Sequence, residues 1–261
     1  MLIDAITQLT VKVMSEKNMP TNVKTRFLSG LIDDALNGFQ QKGLTSTAHL
    51  QKVSKLVIDL NQSVSGFDEV LDLLRELPEN ESKHSMITCM ISLVLCEELK
   101  ITHGPAHEKV ALAALLHDIG LRVMPEGVRQ KPRHQWTAED QAAYELHPIK
   151  AVEMLRDIKD ISNDVLLIVS EHHENSQGTG FPKKLRDVKI SPLGKVVSLA
   201  NEFSGLLFSP HLGGKNYSTE EALDYIENVL GQPYNKKTFQ ALKNVVKKMN
   251  LVNSTKKKKA A

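Results

Sequence analysis

Between positions 117 and 173, four of the histidines and one aspartate follow apolar helical runs or sit at helix ends. They come as His117-Asp118, His147-Pro148 and His172-His173-Glu174, and a small turn, Gly178-Thr179-Gly180-Phe181-Pro182, closes the stretch. Neutral imidazole and carboxylate are the usual ligands for iron, manganese, zinc and nickel, and an aspartate can bridge two ions. A lone histidine at a helix end usually packs or caps. The grouping argues otherwise, because burying several unliganded imidazoles together is costly. Two adjacent dyads and a single histidine supply donors for more than one ion. That points to hydrolysis at phosphate, where paired ions clamp the attacking and leaving oxygens.

The elements that must bring these residues together read as helices. Apolar positions recur at helical spacing almost throughout, and no Asn-Gly or Asp-Gly turn joins two β-rich runs. Helices are expected over 3–14, 21–36, 47–60 and 68–77, with Thr21 capping the second. Pro78 and Asn80 then break the chain, and a domain boundary is placed there. Residues 1–78 form a small helical regulatory or interaction module, residues 79–251 the chemical domain, and residues 252–261 a basic, disordered tail. The second part opens with 82–99, apolar on one side. A helix from Pro105 follows and ends in His117-Asp118-Ile119-Gly120, where Gly120 takes the C-cap position. Thr137 caps a helix reaching His147, and Pro148 stands in the first turn of the next. Helices over 164–172, 192–207, 219–230 and 237–249 complete an all-α set that can converge histidines as a bundle does.

Composition excludes little, and what it excludes is useful. In 261 residues, 41% hydrophobic and 25% charged content fits a soluble protein with a substantial core. The formal charge of +2 gives no basis for a nucleic-acid partner. No run approaches about 20 apolar residues, so no membrane span is expected. The start lacks a basic n-region and an apolar h-region, which predicts a cytoplasmic protein. Cys89 and Cys96 lie about 10 Å apart along one helix, too far for a disulfide, and read as buried thiols. The Gly-Thr-Gly-Phe-Pro turn lacks the Gly-Lys-Ser/Thr ending of a P-loop, and no Ser-His-Asp or Cys-His arrangement stands out.

From about 84 to 249, two thirds of the chain, the sequence resembles the HD-GYP family of helical metal-dependent phosphohydrolases. The carriers are His84-Ser85, His117-Asp118-Ile119-Gly120, His147-Pro148, His172-His173-Glu174 and Gly180-Phe181-Pro182, in the family's order and spacing. The resemblance implies an HD-domain-like helical bundle that hydrolyses cyclic di-GMP, a related cyclic dinucleotide or another phosphodiester. It implies two divalent ions, iron or manganese, bridged by Asp118. His84 and His117 hold one, and His147, His172 and His173 the other. His117 and Asp118 are thereby the catalytic pair, and a water between the ions supplies hydroxide.

The departures define an alternative. Leu121 stands where the family has a lysine and cannot donate to a phosphate oxygen. The side chain of Arg122 leaves a helix about 100° away from it. The family's Ala-Asp-x-Phe-Asp segment is here Ala200-Asn201-Glu202-Phe203-Ser204, so Asn201 is a neutral ligand at best. Asn80, flanked by Glu79 and Glu81, offers nothing for the third metal of some members. Phe181 loses the tyrosine hydroxyl, Gln177 replaces an aspartate, and the family's arginine-bearing stretch has no counterpart over 208–217. Lys183, Lys184 and Arg186 are the candidate phosphate-binding cations, and Trp136 is a candidate base-stacking ring or helix staple. His103 and His107 read as surface or capping residues; His49, His134 and His211 have no partners nearby in sequence. The alternative is a metal-containing nucleotide sensor or protein-interaction module with little or no activity. The N-terminal module or the Gly180-Phe181-Pro182 turn would then meet a protein partner.

Overall fold

A computed structural model of the chain describes residues 2–42, 48–77, 81–101, 104–129, 131–208 and 216–260. The described residues form helices and no strand; the nearest approach to a sheet is an isolated bridge between Gln177 and Arg186. Four helices precede position 78: α1 (Leu2–Ser15), α2 (Thr21–Lys42), α3 (Ala48–Ser63) and α4 (Phe67–Arg75). Next come α5 (Glu81–Glu98), α6 (Pro105–Leu116), a single turn α7 (Glu126–Arg129), α8 (Ala138–Glu145), α9 (His147–Leu155) and α10 (Asn163–Glu171). The chain closes with α11 (Pro192–Phe208), α12 (Thr219–Asp224) and α13 (Lys236–Ala260).

Local signals account for several ends. Thr137 accepts from the Asp140 amide while the Asp140 carboxylate accepts from Thr137, a complete capping box for α8. Ser162 caps α10 and Ser218 caps α12 by the same acceptor chemistry. Leu146 alone separates α8 from α9, and Pro148 fills an early position of α9 where no amide is needed.

Around these ends the core is arranged on α5. Almost every side chain from Ser82 to Cys96 is buried, rather than one face only, because α5 packs against α2, α3, α4, α6, α11 and α13. Its polar members are absorbed internally: Ser92 donates to the Thr88 carbonyl, and Thr88 meets Ser204 of α11 at 2.9 Å. The apolar core is one cluster that takes in Leu31, Leu60 and Leu74 from before position 78 together with Ile91, Leu115 and Phe203 from after it. Cys89 and Cys96 are buried and not bonded to each other. No helix among the described residues is long and apolar enough to cross a membrane.

The backbone beyond 252 continues α13 to Ala260. Lys and Ala propagate a helix well, no Gly or Pro interrupts them, and lysines suit a helix C-terminus. Gly120 is not a C-cap glycine. It lies in a 3-10 turn, Ile119–Val123, and a Cβ there would sit 2.0 Å from the His147 carbonyl oxygen and 2.7 Å from the Ala151 nitrogen. Glycine is needed because this turn presses directly on the backbone of α9.

Candidate metal centre

The three fully buried histidines are aimed by one recurring device. His117 follows α6, His147 follows α8 and opens α9, and His172 follows α10. In each case Nδ1 lies against the carbonyl three residues back: Ala114 at 2.7 Å, Tyr144 at 2.6 Å and Val169 at 2.7 Å. A carbonyl only accepts, so Nδ1 carries the hydrogen and Nε2 presents a lone pair. The bond also satisfies an orphan carbonyl at the helix end. Sequence position at a helix terminus thus sets both the direction and the tautomer of the ring, as second-shell partners of metal-bound histidines do.

All three Nε2 atoms converge on Asp118. Its Oδ2 lies 3.2 Å from His117 Nε2 and 3.7 Å from His84 Nε2, and its Oδ1 lies 3.2 Å from His147 Nε2 and 3.6 Å from His172 Nε2. Two groups result that share one carboxylate: His84, His117 and Asp118, and Asp118, His147, His172 and His173, each with ligand atoms within 4.8 Å of one another.

Two details fit a cation. His117 Nε2 is buried without a hydrogen-bond partner. The Nε2 atoms of His147 and His172 stand 2.9 Å apart, and with both hydrogens on Nδ1 their lone pairs repel unless a positive species lies against them. Burial and the neighbouring imidazoles push His172 down to about 3, and His173 well below the usual imidazole value. At Asp118, burial works to raise the pKa, but the imidazoles around it, His117 foremost, hold it well below the carboxylate range. His117 moves upward, because Asp118 outweighs the effect of burial.

Other residues support the set. Asn201 of α11 reaches between the groups, with Oδ1 2.8 Å from His84 Nε2 and Nδ2 3.5 Å from His173 Nδ1. Glu202 accepts from the Tyr234 hydroxyl at 3.1 Å. Phe181 stacks on His173 with centroids 4.3 Å apart, and a Cβ on Gly180 would meet the His173 carbonyl at 2.3 Å. Buried Glu174 holds this turn down, its oxygens accepting from the Lys183 amide at 2.6 Å and the Leu185 amide at 2.7 Å.

Sequence reasoning passed over Tyr144, whose hydroxyl lies 3.3 Å from His173 Nε2 and whose ring lies 4.9 Å from His147. Its position three residues before His147, on the same helical face, was the available signal. Arg133 was passed over too; its guanidinium stacks 4.3 Å from the Tyr144 centroid.

The remaining candidates lie farther out. Lys183, Lys184 and Arg186 are exposed on the loop after the turn. Trp136 is half-buried, donates to the Lys131 carbonyl at 2.9 Å and packs 5.2 Å from Tyr144. It does not staple the helix, because the residue it would meet is polar Gln141. Arg122 does point away from the centre, donating to the Leu36 carbonyl at 2.9 Å and Asn37 at 3.0 Å. His107 is buried in the first turn of α6, not a surface or capping residue; the cap position is Gly104. His134 is exposed and His49 half-buried. His103, His211, Asn80 and Glu79 lie outside the described residues, as does the Glu81 side chain.

Comparison with known proteins agrees with this geometry. The family model described as HD domain matches residues 69–237. A cyclic di-GMP phosphodiesterase of Pseudomonas aeruginosa is 29% identical over 163 residues, covering 61% of this chain and 38% of that protein. A cyclic di-GMP phosphodiesterase of Thermotoga maritima is 28% identical over 180 residues, 66% of this chain and 47% of that one. The 3'3'-cGAMP-specific phosphodiesterase 2 of Vibrio cholerae is 26% identical over 155 residues, 58% and 29% respectively. The matched stretch thus spans less than half of each of these relatives. In fold, an HDG"Y"P protein from Bdellovibrio bacteriovorus superimposes with a TM-score of 0.74 at 21% identity, covering 92% of this chain and 78% of its own. The family model takes in well over half of the chain, which belongs to the HD domain family and shares the fold of that Bdellovibrio protein.

Proposed function

We propose that this chain is a two-metal phosphodiesterase acting on cyclic di-GMP or a related cyclic dinucleotide. The observation that carries the reading is the division of Asp118, with one oxygen toward His84 and His117 and the other toward His147 and His172. A carboxylate so divided suits two ions, with His173 completing the second set and Asn201 able to add a neutral oxygen. The imidazole-rich donor set is compatible with iron or manganese. When bound, such ions would acidify a water and neutralise charge on a phosphodiester. The chain's own part is to orient the imidazoles through their Nδ1 bonds, with Nε2 toward the centre, and to favour the ionised form of Asp118. The names of the relatives favour a cyclic dinucleotide as substrate. Free, buried Cys89 and Cys96 favour a reducing, cytoplasmic setting.

The second reading is a sensor with little or no turnover. It is favoured by Leu121 in place of a lysine and by Asn201, whose carbonyl oxygen engages His84 without charge. The helices before position 78 would serve regulation in either case. The test is hydrolysis of cyclic di-GMP and of 3'3'-cGAMP by protein loaded anaerobically with Fe or with Mn, with Asp118→Ala as control. Linear products from the wild type and none from the variant support the enzyme. A fully loaded wild type that yields no product from either nucleotide removes it in favour of the sensor.

A further inference from the structure

Beside Tyr144 stands a cation that neither motif order nor spacing singles out. Arg133 opens a 3-10 turn, Arg133–Gln135, ahead of α8. Its guanidinium lies 4.3 Å from the ring centroid of Tyr144 and 5.2 Å from that of Trp136. Tyr144 in turn abuts His147 and His173. One aromatic ring therefore separates Arg133 from the candidate ligands. Arg133 is exposed and Trp136 half-buried, so both meet solvent at the edge of the centre. Neither is loosely held. The indole N–H is tied to the Lys131 carbonyl, Lys131 is tied to Asp140, and Asp140 belongs to the capping box of α8. The guanidinium also hydrogen-bonds the Tyr144 side chain and feels the buried Glu202 carboxylate, and its fork has further N–H donors of the planar geometry that suits phosphate.

We propose that Arg133 and Trp136 form an outer subsite for a substrate with two phosphates. Arg133 receives the phosphodiester that is not at the metals, and Trp136 stacks the adjoining base. This rests on the reading of the centre as a cyclic dinucleotide phosphodiesterase and adds what selects that substrate over a simple diester. Stacking on Trp136 is sequence-tolerant, since every base has a π face, so the subsite selects for the second phosphate more than for guanine.

The experiment uses the full chain loaded with Mn, as wild type, Arg133→Ala, Arg133→Lys and Trp136→Ala. Three quantities are measured: metal per chain, the Kd for cyclic di-GMP by calorimetry, and kcat/KM for cyclic di-GMP relative to bis(p-nitrophenyl) phosphate, which carries one phosphate. Arg133→Ala should keep the wild-type metal content and weaken cyclic di-GMP binding about ten- to hundredfold. The kcat/KM ratio should fall through KM, and Arg133→Lys should recover part of the loss. Wild-type affinity in Arg133→Ala, or an equal loss on both substrates, overturns the subsite and leaves the phosphodiesterase reading intact. A metal-loaded wild type that neither binds nor cleaves cyclic di-GMP overturns both.

Discussion

Replacing Gly120 with alanine exchanges a hydrogen for a methyl group at the point where the turn after Asp118 presses on α9. The new Cβ would lie 2.0 Å from the His147 carbonyl oxygen, 2.7 Å from the Ala151 nitrogen and 2.9 Å from the His147 carbonyl carbon. All three are backbone atoms, so no side chain can swing away. Bringing the shortest contact out to a tolerable separation requires a shift of about 1 Å between the turn and α9, and overpacking of this kind costs roughly 1–3 kcal/mol. For a chain of this size that is a fall in Tm of about 3–10 °C. The consequence for chemistry is more specific. Asp118 lies two residues before Gly120, and His147 is the residue struck. The same shift therefore opens the 3.2 Å approach between Asp118 Oδ1 and His147 Nε2. The group of Asp118, His147, His172 and His173 should lose metal affinity, while His84 and His117, carried on α5 and at the end of α6, keep more of theirs. The assay is a melting curve beside a competitive Mn titration with a chelator. A variant with wild-type Tm and two wild-type binding constants would refute the argument that this glycine is fixed by close approach.

Three further outcomes are expected. Asn201→Asp adds a charge 2.8 Å from His84 Nε2 and should tighten Mn binding by about tenfold or more, since added carboxylates raise the affinity of hard-cation sites; unchanged affinity in a chelator competition would show that Asn201 does not contact metal. Glu174→Gln leaves one of the two loop amides, Lys183 or Leu185, without an acceptor at a buried position, at a cost of about 1–3 kcal/mol, and a melting curve that matches wild type would contradict the loop anchor. The metal-free protein should lose stability on acidification. Burial holds His172 to about 3 and His173 well below its usual value, so below about pH 6.5 the unfolded chain binds protons that the folded chain refuses. Each such histidine costs up to roughly 1 kcal/mol per pH unit down to its folded value. His117, shifted upward, works in the opposite direction and offsets part of the loss. A Tm in chelator that stays flat from pH 7.5 to 5.5 would contradict this.

The candidate ligands were legible because their positions carry information that survives without coordinates. His117, His147 and His172 each come just after the end of a helix, and the bond from Nδ1 to the carbonyl three residues back needs only that local geometry. Asn201 was legible through its place in a motif, though its distance to His84 was not. The missing parts depend on tertiary contact. Thr88 and Ser92 make α5 look two-sided, yet they are buried, because Ser204 of α11 and the helix's own Thr88 carbonyl take their hydroxyls. Gly120 fits a C-cap by spacing and is instead dictated by α9, which lies 27 positions on at His147. Tyr144 and Arg133 became visible only when α8 was set against the turn at Phe181, with ring centroids of Tyr144 and Phe181 5.6 Å apart. His107 misled because a polar residue in a first turn usually faces water, whereas this one is covered.

The central claim is a pair of ions organised on one carboxylate, and its most direct test is metal stoichiometry of wild type and Asp118→Ala, purified without chelator and supplied with Fe or Mn anaerobically. The account predicts two ions per chain in the wild type. It also predicts loss of both in Asp118→Ala, because each group of ligands contains that residue. One ion in the wild type, or a variant that still holds two, would contradict a shared centre.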